Sequence, residues 1–135
     1  MNSVLLVEDD EIDVLNVKRA FRKLAIPATI HVARNGLEAL ALLRGEQRPR
    51  LDPLPDLILL DMNMPKMGGL EFVQEVRRDP GLSRLKIFLF IPDPGDEERL
   101  NAMGVQADGY LVKSPGTEAM QTMMAKFRKF PATTA

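Results

Sequence analysis

Cysteine is absent from the 135 residues. Disulfides, thiol chemistry and cysteine–zinc sites are therefore excluded. The single histidine, His31, rules out a multi-histidine metal site and a helix carrying paired histidine ligands. Neither sign of charge predominates, since 18 Lys and Arg face 19 Asp and Glu. That balance supplies no general field for nucleic acid or an anionic membrane, so neither is expected as a partner. Long apolar runs are missing too. Stretches such as Leu57-Ile58-Leu59-Leu60 fall far short of the ~20 residues that span a bilayer. The N-terminus lacks the basic-then-apolar order of a signal peptide, so a cytoplasmic protein is expected. What is present is an ordinary globular mixture, 45% hydrophobic and 27% charged. At this length it suits one domain around one core.

The chain alternates between two patterns. Val4-Leu5-Leu6-Val7 reads as a strand buried on both faces and stops at Glu8-Asp9-Asp10. Ile12, Leu15, Val17, Ala20, Phe21 and Leu24 then recur at helical spacing, with Asp9 or Asp10 as cap and Pro27 as the stop. Residues 29–33 read as a second strand, with Asn35-Gly36 as its turn. Leu37, Ala39, Leu40, Leu42 and Leu43 form the next helical face, and residues 45–55 an irregular loop. Residues 56–60 form the most apolar strand, which ends at Asp61. Gly68 and Gly69 read as turn formers before a helix carrying Leu70, Phe72, Val73 and Val76. Residues 86–91 make a fourth strand, Pro92-Asp93-Pro94-Gly95 a stiff turn, and residues 96–103 a short charged helix. Tyr110-Leu111-Val112 is the fifth strand, followed by Lys113 and a last helix capped by Thr117. A single domain over residues 1–130 and a frayed tail over 131–135 are expected.

Five alternations of strand and helix argue for a five-stranded parallel sheet with helices on both faces, because each right-handed crossover needs a helix. In such doubly wound α/β sheets the functional crevice lies at the carboxyl ends of the strands. Those ends carry Glu8, Asp9 and Asp10, then Asp61, then Lys113. Acids from two strand ends repel unless a cation joins them. A few oxygen ligands suit Mg²⁺, which keeps several waters. A carboxylate can attack phosphorus to give an acyl phosphate, and a lysine ammonium can hold a phosphoryl oxygen. Singly, each acid could be a helix cap and the lysine a solvated side chain. Jointly they are the parts of a phosphoacceptor site.

The pieces VLLVEDD, DLILLDMNMPKMGG and GYLVKS resemble the receiver domain of two-component response regulators. The likeness runs from Asn2 to about Phe130. The Pro-rich stretch before the third strand and the wording LLDMNMPKMGG are similar to the single-domain regulators that serve phytochrome kinases. The resemblance implies a flavodoxin-like (βα)5 fold with strand order 2-1-3-4-5. It implies Asp61 as phosphoacceptor and Lys113 as the contact to the phosphoryl group. It implies a Mg²⁺ site using Glu8, Asp9, Asp61 and the backbone carbonyl of Asn63. Tyr110 matches an aromatic that changes rotamer on activation. Asp10 has no implied role and is read as a helix cap. One departure stands out. The family's Ser or Thr at the end of the fourth strand falls on Ile91, and no Ser or Thr occurs between Ser83 and Ser114. Pro92 and Pro94 fix φ in the segment that would have to move. The Pro that the family places directly after the lysine is displaced by one, to Pro115.

His31 reads as a partly exposed strand residue, and Arg44, Arg48 and Arg50 as a solvated cluster. Met120, Met123, Met124, Phe127 and Phe130 give the last helix a broad apolar surface. Core and interface are both open readings for it. The family's use of the fourth helix, fifth strand and fifth helix as a dimer face tilts the expectation to a homodimer there. The expected function is that of a single-domain response regulator, not an enzyme. It would accept a phosphoryl group on Asp61 from a sensor histidine kinase, such as a phytochrome, and signal through protein contacts. The alternative is a receiver-fold binding module that acts largely without phosphorylation.

Overall fold

The computed structural model describes residues 2–46, 49–62, 67–113 and 116–127. Five strands alternate with five helices in the order β1 (Asn2–Val7), α1 (Glu11–Lys23), β2 (Ala28–Ala33), α2 (Gly36–Arg44), β3 (Leu57–Asp61), α3 (Gly69–Arg78), β4 (Ile87–Ile91), α4 (Gly95–Ala102), β5 (Gly109–Val112) and α5 (Glu118–Phe127). All four strand pairs are parallel, and the sheet runs β2-β1-β3-β4-β5. The doubly wound α/β expectation holds in full. The tail at 131–135 and Phe130 lie outside the described residues.

The period of two along each strand divides the core into two layers. Leu5, Val7, Ile58, Leu60, Ile87, Leu89, Ile91 and Tyr110 face one side and pack on residues of α2, α3 and α4. Val4, Leu6, Leu57, Leu59, Phe88, Phe90 and Leu111 face the other and pack on α1 and α5. β3 and β4 are buried along their whole length. They are central strands covered on both faces, which is why they read as unbroken apolar runs.

Helix boundaries follow local chemistry. The Asp10 carboxylate accepts from the backbone N–H of Ile12 and Asp13 and caps α1. Of the two acids offered as caps, the structure selects Asp10. The helix stops at Lys23, ahead of Pro27, because Ala25 adopts a left-handed φ of 53°. Asn35 does not close a strand turn. Its side chain accepts from the Glu38 N–H and starts α2 at Gly36. Arg44 is not a loop cation either: it ties α2 to α3 through Asp79 and Glu75.

The last helix departs most from expectation. Met120 and Met123 are each 2% exposed and pack with Phe88, Phe90 and Leu111. Met124 is partly buried against the same cluster. Of the two readings left open for this stripe, the structure takes the core for these methionines. A broad face is needed because α5 meets both the sheet and α1. The Phe127 side chain lies outside the described residues. Among the described residues, no helix is long and apolar enough to cross a membrane.

Candidate functional site

Strand order reverses between β1 and β3, and the crevice opens where their carboxyl ends diverge. Glu8 lies one residue beyond β1. Its N–H donates to the Ala33 carbonyl at 2.9 Å and prolongs the ladder. Asp61 is the last residue of β3, paired with Phe90 of β4. Lys113 lies one residue beyond β5, with its N–H on the Ile91 carbonyl at 3.0 Å. Regular sheet hydrogen bonds therefore fix the roots of three charged side chains, which is a rigid way to build a site.

Carboxylate oxygens of Glu8, Asp9 and Asp61 lie within 4.8 Å of one another. Glu8 is 2% exposed and Asp61 8%, whereas Asp9 is open to solvent. Burial is the main force pushing the Glu8 carboxyl up to about 7, and the Asp61 charge adds to it. The Asp10 N–H on Glu8 Oε2 and the nearby Lys113 ammonium act the other way. A half-buried set of oxygen donors with surplus negative charge fits a hard divalent cation, whose charge would relieve that strain. Asn63, expected to add its carbonyl, lies outside the described residues.

The Lys113 ammonium approaches three carboxylates. Nζ is 2.7 Å from Asp13 Oδ2, 3.1 Å from Glu8 Oε1 and 3.2 Å from Asp61 Oδ1. Burial disfavours its charge, but the hydrogen bond from Lys113 to Asp13, then the charges of Asp61 and Glu8, more than offset this. They hold the ammonium well above the usual lysine range. Asp13 is the site residue that the sequence reading missed. Its signal was present: it is an acid in the first turn of α1, the helix that directly follows the strand-end acids.

Gly69 has a sharper role than turn formation. A Cβ there would lie 2.6 Å from the Asp61 carbonyl and 2.9 Å from Met62 Cα. The start of α3 is pressed against the backbone that carries Asp61. Gly68, by contrast, has room, with only the Met62 carbonyl at 3.8 Å.

Ile91 is 1% exposed and shares its core layer with Tyr110. Tyr110 is 5% exposed, and its hydroxyl donates to Asn101 Oδ1 of α4 at 3.2 Å. Burial, with help from the Glu97 charge, pushes the phenol up from its ordinary pKa. The β4–α4 loop is tied down in both directions. The Gly95 N–H donates to Asp93 Oδ1 at 2.8 Å, and the Asp93 N–H to Asp96 Oδ2 at 3.2 Å. His31 is half-buried in β2, opposite Leu5, and takes no part in the site.

A doubly wound fold with carboxylates, an ammonium and a cation-type cluster at its switch point is consistent with the class of receiver-type regulators. The chain belongs to the response regulator receiver domain family, which matches residues 4–125. The receiver domain is a regulatory module rather than an enzyme, and a response regulator has a histidine kinase as its partner. Response regulator Rcp1 of Synechocystis sp. is 28% identical over 127 residues, covering 94% of this chain and 86% of that protein. The structure of bacteriophytochrome response regulator RtBRR superposes with a TM-score of 0.87 at 27% identity, over 99% of this chain and 82% of the other. A Mn²⁺-bound form of Rcp1 superposes with a TM-score of 0.73 at 28% identity, over 96% and 94%.

Proposed function

We propose that this protein is a phosphorylated response regulator with Asp61 as acceptor, Lys113 as phosphoryl contact and Mg²⁺ held by Glu8, Asp9 and Asp61. The observation that carries the reading is the Lys113 ammonium 3.2 Å from Asp61, beside a three-carboxylate cluster. In the transfer, an Asp61 oxygen bonds to phosphorus as the P–N bond to a donor imidazole breaks. The imidazole nitrogen then takes up a proton. Mg²⁺ supplies charge neutralisation at the cluster. Lys113 orients a phosphoryl oxygen and offsets its charge. Likeness to the bacteriophytochrome response regulator RtBRR supports a phytochrome-type kinase as the donor.

The domain is taken to run over residues 1–130, and the protein to act in the cytoplasm. A homodimer through α4, β5 and α5 belongs to the same reading. Its apolar motive is reduced by the burial of Met120 and Met123, and Val112 at the end of β5 is the large hydrophobic left exposed on that strand.

The test is phosphate uptake from a small acyl-phosphate donor, followed by phosphate-affinity electrophoresis. Uptake should require Mg²⁺ and vanish in Asp61→Asn. Uptake that survives Asp61→Asn would refute the assignment. One observation favours the second reading, a binding module largely indifferent to phosphate. Ile91 offers no hydroxyl, and Tyr110 is already buried and bonded to Asn101.

A further inference from the structure

Lys113 has three carboxylate partners, and two of them have other work. Glu8 and Asp61 belong to the cluster whose oxygens lie within 4.8 Å of one another, and Asp61 is the proposed acceptor. Asp13 is outside that cluster and makes the shortest of the three contacts, 2.7 Å. It also comes from a different direction, the first turn of α1, a hundred residues away in sequence. We propose that Asp13 is a positioning residue for phosphoryl transfer, serving as the private counter-ion that keeps the Lys113 ammonium at the rim. This rests on the phosphoacceptor reading of Asp61.

The reasoning is one of charge and donor count. An ammonium has three N–H donors, and here each has a carboxylate within reach. When Glu8 and Asp61 serve a divalent cation, Lys113 keeps little of their attraction and feels the like charge of that cation. Asp13 then holds one donor, and the other two are free to turn to phosphoryl oxygens. Both Asp13 and Lys113 have side chains 33% exposed, so without this contact the flexible lysine stem can swing out to water. Asp13 is well rooted for the task. Its backbone N–H is held by the Asp10 cap, a bond that does not use the Asp13 side chain.

Two readouts test this. The first is the ¹⁵N-edited signal of the Lys113 ammonium, identified by its loss in Lys113→Met. In wild type and Asp13→Glu it should stay protected from solvent exchange when Mg²⁺ is added. In Asp13→Ala, Mg²⁺ should expose it. A signal that stays protected in Asp13→Ala with Mg²⁺ overturns the proposal. The second is phosphate uptake at saturating Mg²⁺. Asp13→Ala should be slower by about tenfold, the scale of one charge-assisted hydrogen bond, and Asp13→Glu should recover most of the loss. In a Lys113→Met background, Asp13→Ala should add nothing. Faster uptake in Asp13→Ala, or equal slowing in both backgrounds, overturns the role. The Asp61→Asn control separates this failure from failure of the acceptor assignment: uptake that ignores Asp61 removes both, while the ammonium signal reports on Asp13 by itself.

Discussion

Stripping divalent cations and raising the pH from 5 to 8 should weaken the fold through Glu8. Its carboxyl is buried and lies beside Asp61, and it titrates at about 7 in the folded protein against 4.5 ordinarily. The folded state therefore holds this proton more tightly than the unfolded chain does. Stability is greatest below the unfolded value and falls as pH rises through the window from 4.5 to 7. A shift of this size is worth at most ~3 kcal/mol. Because Glu8 shares its field with Asp61 and Lys113, a loss of roughly 2 kcal/mol is expected, or about 5–10 °C in melting temperature for a domain of this size. The assay is urea or thermal unfolding in EDTA, for wild type and Glu8→Gln. Glu8→Gln should be the less pH-dependent of the two, and the difference between the curves isolates the contribution of Glu8. Saturating Mg²⁺ should flatten the wild-type curve, since a bound cation stabilises the folded state and replaces the proton. Parallel curves for wild type and Glu8→Gln in EDTA would refute the reasoning.

Other outcomes follow from the same geometry. Asp9→Asn should weaken Mg²⁺ binding by ~tenfold, about 1.4 kcal/mol, with NMR shifts centred on Glu8 and Asp61; shifts centred elsewhere remove the site. Gly69→Ala should cost about 2 kcal/mol or more, because its methyl meets the Asp61 and Met62 backbone, while Gly68→Ala changes stability by under ~1 kcal/mol; denaturant midpoints decide, and equal effects would refute the close approach. Ile91→Thr should enlarge the beryllofluoride-induced NMR response around Tyr110 by roughly tenfold in population bias, leaving phosphate uptake little changed; a full Tyr110 response in wild type would show that the hydroxyl is dispensable. Light scattering should show a dimer at micromolar and higher concentration, and a monomer throughout would remove the α4–β5–α5 interface.

Sequence periodicity alone determined the five-fold alternation, the parallel sheet and the acids at its carboxyl rim, because these follow from near-neighbour patterns. Val4–Val7 and Leu57–Leu60 could hardly be anything but central strands. The acids that stop them had to fall on one rim once the strands ran parallel. Their place at strand ends singled out Asp61 and Lys113, and the motif wording then assigned their roles. Tertiary structure decided the rest. A methionine stripe looks the same whether it meets a sheet or a partner, and only the packing of α5 on β4, β5 and α1 put Met120 and Met123 inside. The closeness of Gly69 to the Asp61 carbonyl depends on how α3 leaves the sheet, which no spacing of glycines reveals. The partners of Lys113 come from the residue after β1, from α1 and from β3. Contacts at such sequence separation are set by the order of the strands and the reach of side chains, and local pattern carries no distance between them.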